Sequence, residues 1–201
     1  QYSPRSELLS LDQITYTYDD IGNRKTRMDS EGLQTFFYDP LNQLTQVQGL
    51  RPENYSYDST GNRTSSHLSS SYLTNPLNQL TEDNTFLYRY DLNGNLIEKE
   101  EKTTGQITRY TYDSENQLIN TAVIASGSEA IYHYDALGRR IEKNVSGQIT
   151  RYVYDQEDLL LQYDSTNALT HSFTHGPGID EPLALHDTTL NQSFFYHTDA
   201  L

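Results

Sequence analysis

The sequence predicts an all-β protein built from consecutive antiparallel β-hairpins, and three observations lead to this fold class. A five-residue unit recurs nine times: Tyr-Asp or a variant of it, two variable residues, and a residue that tolerates positive φ. Tyrosines ahead of the units alternate with other residues, as in Tyr110 and Tyr112, so that each pair shares one face of a strand. No stretch of the sequence has a sustained helical stripe of apolar side chains.

The recurring unit has the composition of a tight hairpin turn. Asp caps such a turn through its carboxylate, and Pro40 and Pro76 fit the following position. Gly, Asn and Asp enter the left-handed region at least cost, so the fifth residue predicts a type I turn closed by a left-handed residue. The units begin at Tyr18, Tyr38, Tyr57, Thr74, Tyr90, Tyr112, Tyr134, Tyr154 and Tyr163, and their fifth residues are Gly22, Asn42, Gly61, Asn78, Gly94, Asn116, Gly138, Asp158 and Asn167.

The spacing of the units predicts one hairpin per repeat. Most units lie 16–22 residues apart, which accommodates two strands of about six residues and two turns. We expect a lead-in segment at 1–13, a hairpin array at 14–170 with a distorted hairpin at 65–75, and a terminal segment at 171–201. About 18 strands at a spacing of ~4.8 Å would make a ribbon that strand twist must curl or spiral, with an open edge at each end.

Composition and charge exclude several classes of function. Only 34% of the residues are hydrophobic, which favours an elongated sheet over a compact globule. A formal net charge of −14 without a basic stripe argues against direct binding to nucleic acid or to an anionic membrane. Cysteine is absent, so disulfides and thiolate chemistry are excluded, and no apolar run is long enough to span a bilayer. Because the sequence starts at Gln1, we interpret it as a segment of a longer polypeptide.

Candidate catalytic and metal-binding residues each have a structural explanation. Calcium needs six to eight converging oxygens, whereas each turn supplies one capping Asp. Adjacent acidic residues, Asp180 with Glu181 and Glu100 with Glu101, would point to opposite faces of a strand. The histidines near the C-terminus lack the short ligand spacing of zinc motifs. We therefore predict no catalytic, cofactor-binding or metal-binding residue. The turn carboxylates considered are Asp19, Asp39, Asp58, Asp91, Asp113, Asp135, Asp155 and Asp164, and the histidines are His171, His175, His186 and His197.

The tyrosine pairs leave two interpretations open. A row of phenol rings could stack on the apolar faces of sugars and form a glycan platform. Alternatively, the rings pack each hairpin against the next through cross-strand pairs, which the regular Tyr-x-Tyr spacing favours. The segment Gly176-Pro177-Gly178 is interpreted as a turn, because it lacks the strand and helix that flank a phosphate-binding loop.

The repeats resemble the tyrosine-aspartate (YD) repeats of the Rhs family, which is similar to the shell subunits of bacterial toxin complexes and to the repeat region of teneurins. This resemblance covers residues 14–170. A narrower one covers 163–169, 175–183 and 196–199, which look like the end of an Rhs core in Gram-negative bacteria. The resemblance implies a ribbon of YD-shell type, here an incomplete shell fragment too short to close a cage.

The resemblance also implies a function. Shells of this kind enclose a variable C-terminal toxin, and some members release it by autoproteolysis in a segment that we expect after residue 201. We predict a non-enzymatic wall segment whose partners are the rest of its Rhs polypeptide and the toxin cargo. Such proteins are exported by a dedicated secretion system, so a secreted or cell-surface location is expected. The alternative is a surface module that binds carbohydrate or a partner cell through its tyrosine-lined ribbon. No nucleic-acid contact, membrane insertion or cofactor is expected.

Two open sheet edges predict that the isolated chain is marginally stable or associates with itself. Static light scattering over a range of protein concentrations should show a mass that grows with concentration, because unpaired strand edges can pair between molecules. A concentration-independent monomer with a sharp thermal melt would contradict this expectation.

Overall fold

The computed structural model of the protein describes residues 1–5, 7–178 and 181–196. These residues form twenty β-strands, and no helix occurs among them. The strands lie in two sheets in which sequence neighbours are spatial neighbours, the arrangement of a hairpin array. This confirms the all-β class and the consecutive antiparallel hairpins. Within the described ranges, no helix is long and apolar enough to cross a membrane.

The strand bounds are as follows. The seven-stranded sheet contains β1 (Ser10–Leu11), β2 (Ile14–Tyr18), β3 (Arg24–Asp29), β4 (Gly32–Tyr38), β5 (Leu44–Gln48), β6 (Glu53–Tyr57) and β7 (Arg63–Ser66). The thirteen-stranded sheet contains β8 (Leu73–Thr74), β9 (Leu80–Glu82), β10 (Phe86–Tyr90), β11 (Leu96–Glu101), β12 (Ile107–Tyr112), β13 (Leu118–Val123), β14 (Ser128–Tyr134), β15 (Arg140–Val145), β16 (Gln148–Asp155), β17 (Asp158–Tyr163), β18 (Leu169–His175), β19 (Pro182–Asp187) and β20 (Gln192–Phe195).

The chain divides into two compact units, which among the described residues comprise 1–86 and 87–196. The domain boundaries that we expect at residues 13 and 170 remain predictions. The first sheet ends at β7 and the second starts at β8, so the distortion expected at 65–75 lies ahead of the turn at Asn75. That turn is as regular as the others, although it is flanked by strands of only two and three residues.

The turns of the recurring unit have the predicted geometry. At the first of them, the Gly22 N–H donates to the Asp19 carbonyl at 3.2 Å, and the Asp19 N–H donates to the Asn23 carbonyl at 2.9 Å. Gly22 has a φ of 94°, which places it in the left-handed region. The same two backbone bonds and a fifth residue with positive φ occur in the turns that begin at Asp39, Asp58, Asn75, Asp91, Asp113, Asp135 and Asp164.

The eighth unit departs from the prediction. Strand β16 continues to Asp155, which pairs with Asp158, and a two-residue turn joins them. Gln156, with a φ of 53°, takes the left-handed conformation that we assigned to Asp158. The prediction for Asp158 was therefore wrong, because one more residue of the strand entered the ladder and shortened the turn.

The ninth unit, at Tyr163, lies at the opposite end of its strand. Strand β17 starts after the turn at Gln156 and ends at Tyr163, so these two turns flank it on opposite sides. The unit thus occupies the position of a return turn, which explains why it follows the eighth unit after only nine residues.

Two further copies of the turn escaped the sequence analysis. Tyr2 pairs with Leu8 in a β-bridge, and the Ser3 N–H donates to the Glu7 carbonyl at 2.8 Å, as Asp does in the other turns. At the other end, His175 pairs with Pro182, and the Gly176 N–H donates to the Glu181 carbonyl at 2.8 Å. The strand-end pairing of the array therefore continues into both the lead-in and the terminal segments.

The described part of the chain has almost no hydrophobic core. Leu8, Tyr16 and Val47 are its only buried apolar residues, and most strand residues on both faces are half-exposed. Apolar residues at the turns, such as Leu92 and Leu137, are exposed. The stability of this array must come mainly from contacts between neighbouring hairpins within a sheet.

Candidate functional site

A register shift accompanies the turn, and beside it a carbonyl group lies beyond the end of the neighbouring ladder. In the hairpin of β12 and β13, Thr111 pairs with Asn120 but Tyr112 pairs with Leu118, which leaves one extra residue on β13. Such a bulge interrupts the ladder locally. On the other side of β13, pairing with β14 ends at Asn120, so Leu118 lies beyond the last ladder pair. A half-buried carbonyl in this position needs a donor.

The tyrosine of the next unit supplies that donor. The Tyr134 hydroxyl donates to the Leu118 carbonyl at 2.9 Å and so joins the turn ends of two successive hairpins. Equivalent bonds at 2.9–3.0 Å run from Tyr18 to Leu8, Tyr38 to Arg24, Tyr57 to Leu44, Tyr112 to Leu96 and Tyr154 to Arg140. Burial raises the pKa of the Tyr134 phenol, so the hydroxyl keeps its proton over the physiological range. These bonds favour the packing interpretation of the tyrosines.

His175 replaces the tyrosine in the last described copy of the turn. Its Nε2 lies 2.8 Å from the Leu159 carbonyl, which corresponds to the carbonyls that accept from tyrosine elsewhere. A carbonyl only accepts hydrogen bonds, so Nε2 must carry the proton. The shortened turn at Gln156 shifts the acceptor by one position, from the sixth residue after the tyrosine to the fifth. A histidine can therefore take over the linking role.

Where the residue that offers the carbonyl is an arginine, its side chain also packs between aromatic rings. The guanidinium carbon of Arg140 lies 5.6 Å from the centroid of the Tyr132 ring and 5.4 Å from that of Tyr152. Arg24 lies 4.9 Å from the Tyr16 centroid and 6.0 Å from the Phe36 centroid. A cation at this distance from a ring face is attracted to its negative quadrupole. These two links thus combine one hydrogen bond with cation–π stacking.

The turn carboxylates cap their own turns. At Asp58, one carboxylate oxygen accepts from the N–H groups of Thr60 and Asn62 at 2.9 Å, and the other accepts from the Asn62 amide at 3.0 Å. The side-chain hydrogen bonds from Asn62 and Thr60 lower the pKa of Asp58 to about 2. Seven of the eight acidic residues considered above accept these backbone bonds. Asp155 is the exception, since it lies in a strand.

The remaining candidate residues do not converge. His171 pairs with Asp187 and Ser172 pairs with His186, so the two histidines point to opposite faces of the sheet. Glu101 accepts a hydrogen bond from Thr104 at 2.6 Å. Two of the residues considered above lie outside the described residues: Asp180, which forms an adjacent acidic pair with Glu181, and the histidine His197. Among those that are described, no three His, Asp or Glu side chains could hold a metal ion together.

The face opposite the linking tyrosines of unit 87–196 carries ion pairs and a shallow depression. Glu142 lies between His133, at 3.4 Å, and Arg151, at 3.0 Å, on three neighbouring strands. The Arg151 guanidinium also donates to the Asn167 amide oxygen at 2.8 Å. Tyr163, Val153 and Ile141 give the depression an apolar floor.

Comparison with known proteins identifies the family. The sequence matches the teneurin YD-shell family over residues 23–175. This chain belongs to the teneurin YD-shell family. The YD-shell match confirms the resemblance of the repeats. It extends from Asn23, which follows the fifth residue of the first unit, to His175, the histidine that replaces a linking tyrosine.

Curated relatives of this YD-shell chain are much longer proteins. The tRNA nuclease WapA of Bacillus subtilis (strain 168) is 37% identical over 180 residues, which cover 81% of this chain and 7% of that protein. The double-stranded DNA deaminase toxin A of Burkholderia cenocepacia (strain H111) is 32% identical over 138 residues, covering 64% of this chain and 9% of that protein. The chain thus spans less than a tenth of these relatives.

Solved structures with a similar backbone include two toxin-complex assemblies. TcdB2-TccC3-TEV superposes with a TM-score of 0.45 at 14% identity, over 87% of this chain and 11% of that one. TcdB2-TccC3 without its hypervariable C-terminal region gives a TM-score of 0.41 at 16% identity, over 90% of this chain and 9% of that one.

Removing one phenol link should destabilise the array. Tyr134→Phe deletes the hydroxyl that donates to Leu118, and we expect a loss of about 1 kcal/mol in the free energy of unfolding. Urea unfolding followed by circular dichroism measures it. Tyr132→Phe is the matched control, because the Tyr132 hydroxyl makes no hydrogen bond within the described ranges and its ring is kept. Equal losses in the two variants would show that the phenol link contributes nothing.

The turn carboxylates should make the array sensitive to acid. The folded pKa of Asp58 is depressed from 3.8 to about 2, so its stabilising contribution is present above pH 4 and is lost as the pH falls towards 2. Asp58→Asn should therefore lose less stability than the parent chain between pH 5 and pH 2, as measured by urea midpoints. Asn75→Asp is the converse variant, since Asn75 caps the same kind of turn without a charge. A carboxyl of Asp58 that titrates near 3.8 by NMR would refute this assignment.

Proposed function

We propose that the chain is a wall segment of an Rhs-type shell that encloses a toxin or other cargo carried by the same polypeptide. The observation that carries this proposal is the architecture of the array: a sheet with almost no core whose hairpins are linked to one another at their turn ends. Such a sheet gains area with each added hairpin and needs no second layer. It is suited to separating two compartments.

The curated relatives support a toxin context. Their names describe a tRNA nuclease and a double-stranded DNA deaminase, and this chain spans only 7–9% of those two proteins. We assign the wall role, and no catalysis, to the part that this chain shares with them. The enzymatic activities belong to the remaining length of such polypeptides.

The backbone polar groups of the wall are hydrogen-bonded within the wall itself, which suits containment. Ladder bonds satisfy the strand interiors, phenols satisfy the carbonyls at the bulges, and carboxylates satisfy the N–H groups of the turns. The backbone of the wall therefore offers few free donors or acceptors to an enclosed chain. Its net charge of −14 attracts a basic cargo, the kind of surface that a nucleic-acid-modifying enzyme requires. Delivery to another cell would require export, so we place the polypeptide outside the producing cell or at its surface.

A carbohydrate-binding role is the second candidate. The depression lined by Tyr163 and Asn167 offers an aromatic ring beside a polar amide, a combination that suits a sugar ring. Most other tyrosines are half-buried by neighbouring hairpins, so this candidate rests on one place rather than on a platform along the ribbon.

Protease protection tests the wall role. An antibody raised against residues 100–200 would capture the native polypeptide, which should be far larger than 23.1 kDa. Limited trypsin treatment should spare the region that follows the wall in the parent chain. The combined Tyr112→Phe and Tyr134→Phe variant, which lacks two links, should make that region cleavable faster than in the Tyr110→Phe and Tyr132→Phe control.

Two outcomes would contradict the wall role. If the native band is close to 23.1 kDa, the segment acts alone and no shell exists. If the region after the wall is cleaved equally fast in the parent and in both variants, the wall encloses nothing. Reproducible hits on a glycan array that Tyr163→Ala abolishes would then favour the carbohydrate-binding role.

A further inference from the structure

The fifth and sixth residues of successive turns alternate between two types. Turns of the first type have Gly at the fifth position, followed by Asn or, in the last of them, by Arg, and turns of the second type read Asn-Gln; we call them G-turns and N-turns. The order is Gly22-Asn23, Asn42-Gln43, Gly61-Asn62, Asn78-Gln79, Gly94-Asn95, Asn116-Gln117 and Gly138-Arg139. Both Gly and Asn adopt the positive φ that the turn demands, with values of 81–94° and 60–63°. Turn geometry alone therefore does not require the alternation.

The first reason for the order is a hydrogen bond from each G-turn to the N-turn that follows it. The amide of Asn62 donates to the side-chain oxygen of Asn78 at 2.9 Å. The same bond runs from Asn23 to Asn42 at 3.2 Å and from Asn95 to Asn116 at 2.8 Å. The sixth residue of a G-turn thus reaches the fifth residue of the next turn, where only a residue with a side chain can accept.

The second reason is a close approach from the N-turns of Gln43 and Gln117 to the G-turn that follows each of them. A Cβ atom added to Gly61 would lie 3.1 Å from the Nε2 atom of Gln43, and one added to Gly138 would lie 3.1 Å from that of Gln117. This distance is shorter than most contacts of a Cβ atom, so a side chain at Gly61 or Gly138 would require the glutamine amide to move by a few tenths of an ångström. Glycine allows the glutamine to keep its position.

We propose that these two residues form a docking code that decides which hairpin stacks on which. A G-turn accepts an N-turn as its successor and an N-turn accepts a G-turn, whereas an N-turn placed on an N-turn would displace the glutamine amide. The repeating unit of the array is then a pair of hairpins, in agreement with the identical segments 105–110 and 147–152, which lie two repeats apart. The code rejects a hairpin that slips by one position or comes from a second copy out of phase. It goes beyond the wall role, since it concerns the order of hairpins whatever they enclose.

A pair of glycine substitutions tests the code in the full chain. Gly61→Asn and Gly22→Asn introduce the same side chain at nearly the same φ, 89° and 94°. The nearest atom to an added Cβ at Gly22 is a Glu7 carboxylate oxygen at 3.9 Å, an ordinary contact. We expect Gly61→Asn to lower the Tm by about 4 °C or more, because it displaces the Gln43 amide, and Gly22→Asn to change the Tm by less than half as much.

Removal of the glutamine provides the decisive measurement. Gln43→Ala in the Gly61→Asn background should restore most of the lost Tm, and Gln117→Ala should do so for Gly138→Asn. If Gly61→Asn does not fold, recovery of a folded chain in the double variant supports the code equally well. Equal effects of Gly61→Asn and Gly22→Asn, or a double variant no more stable than the single one, would overturn it.

Discussion

The carbonyl that lies beyond the end of a ladder beside each linked turn is the constraint on which the rest of the array depends. Pairing of β13 with β14 ends at Asn120, so the carbonyl of Leu118 has no partner in the ladder, and Arg24 and Arg140 lie in the same position on their strands. A sheet without a second layer cannot bury that group in a core, so the neighbouring hairpin must supply a donor. A phenol on the last strand residue reaches the carbonyl, and Asp follows immediately to cap the turn. The Tyr and the Asp of the repeat therefore make two different hydrogen bonds: the Tyr hydroxyl bonds to the preceding hairpin, and the Asp carboxylate bonds within its own turn.

Local chemistry made the turns predictable, and interactions between hairpins made the exceptions hard to find. Asp followed by Gly or Asn at a fixed distance specifies a turn from short-range sterics alone. The copy at Tyr2 escaped because Ser3 caps it in place of Asp, and the copy at His175 escaped because an imidazole replaces the phenol. Asp158 was misassigned for a different reason, since β16 continues to Asp155 and periodicity fixes strand lengths only to within a residue.

The same difference between local chemistry and interactions between hairpins applies to the candidate site. That the acidic residues cap turns could be inferred from the count of oxygens available to a metal ion, and the structure places those oxygens on backbone N–H groups. The acceptors of the phenols could not be inferred, because they are backbone carbonyls in another hairpin and leave no trace in residue identity: Leu118 and Arg140 accept equally well. The difference between Gly and Asn at the fifth position was visible in the sequence, but its meaning required the distance from Gln43.

The scarcity of buried side chains has a thermodynamic consequence. Unfolding such an array would expose little apolar surface that was not already wet, and apolar hydration is what gives ordinary domains a heat-capacity increase of roughly 12–15 cal/mol/K per residue. A smaller increase flattens the dependence of stability on temperature. The free energy that holds the hairpins together would then change little over a wide range of temperatures, so that the stability curve of the array is broad rather than high.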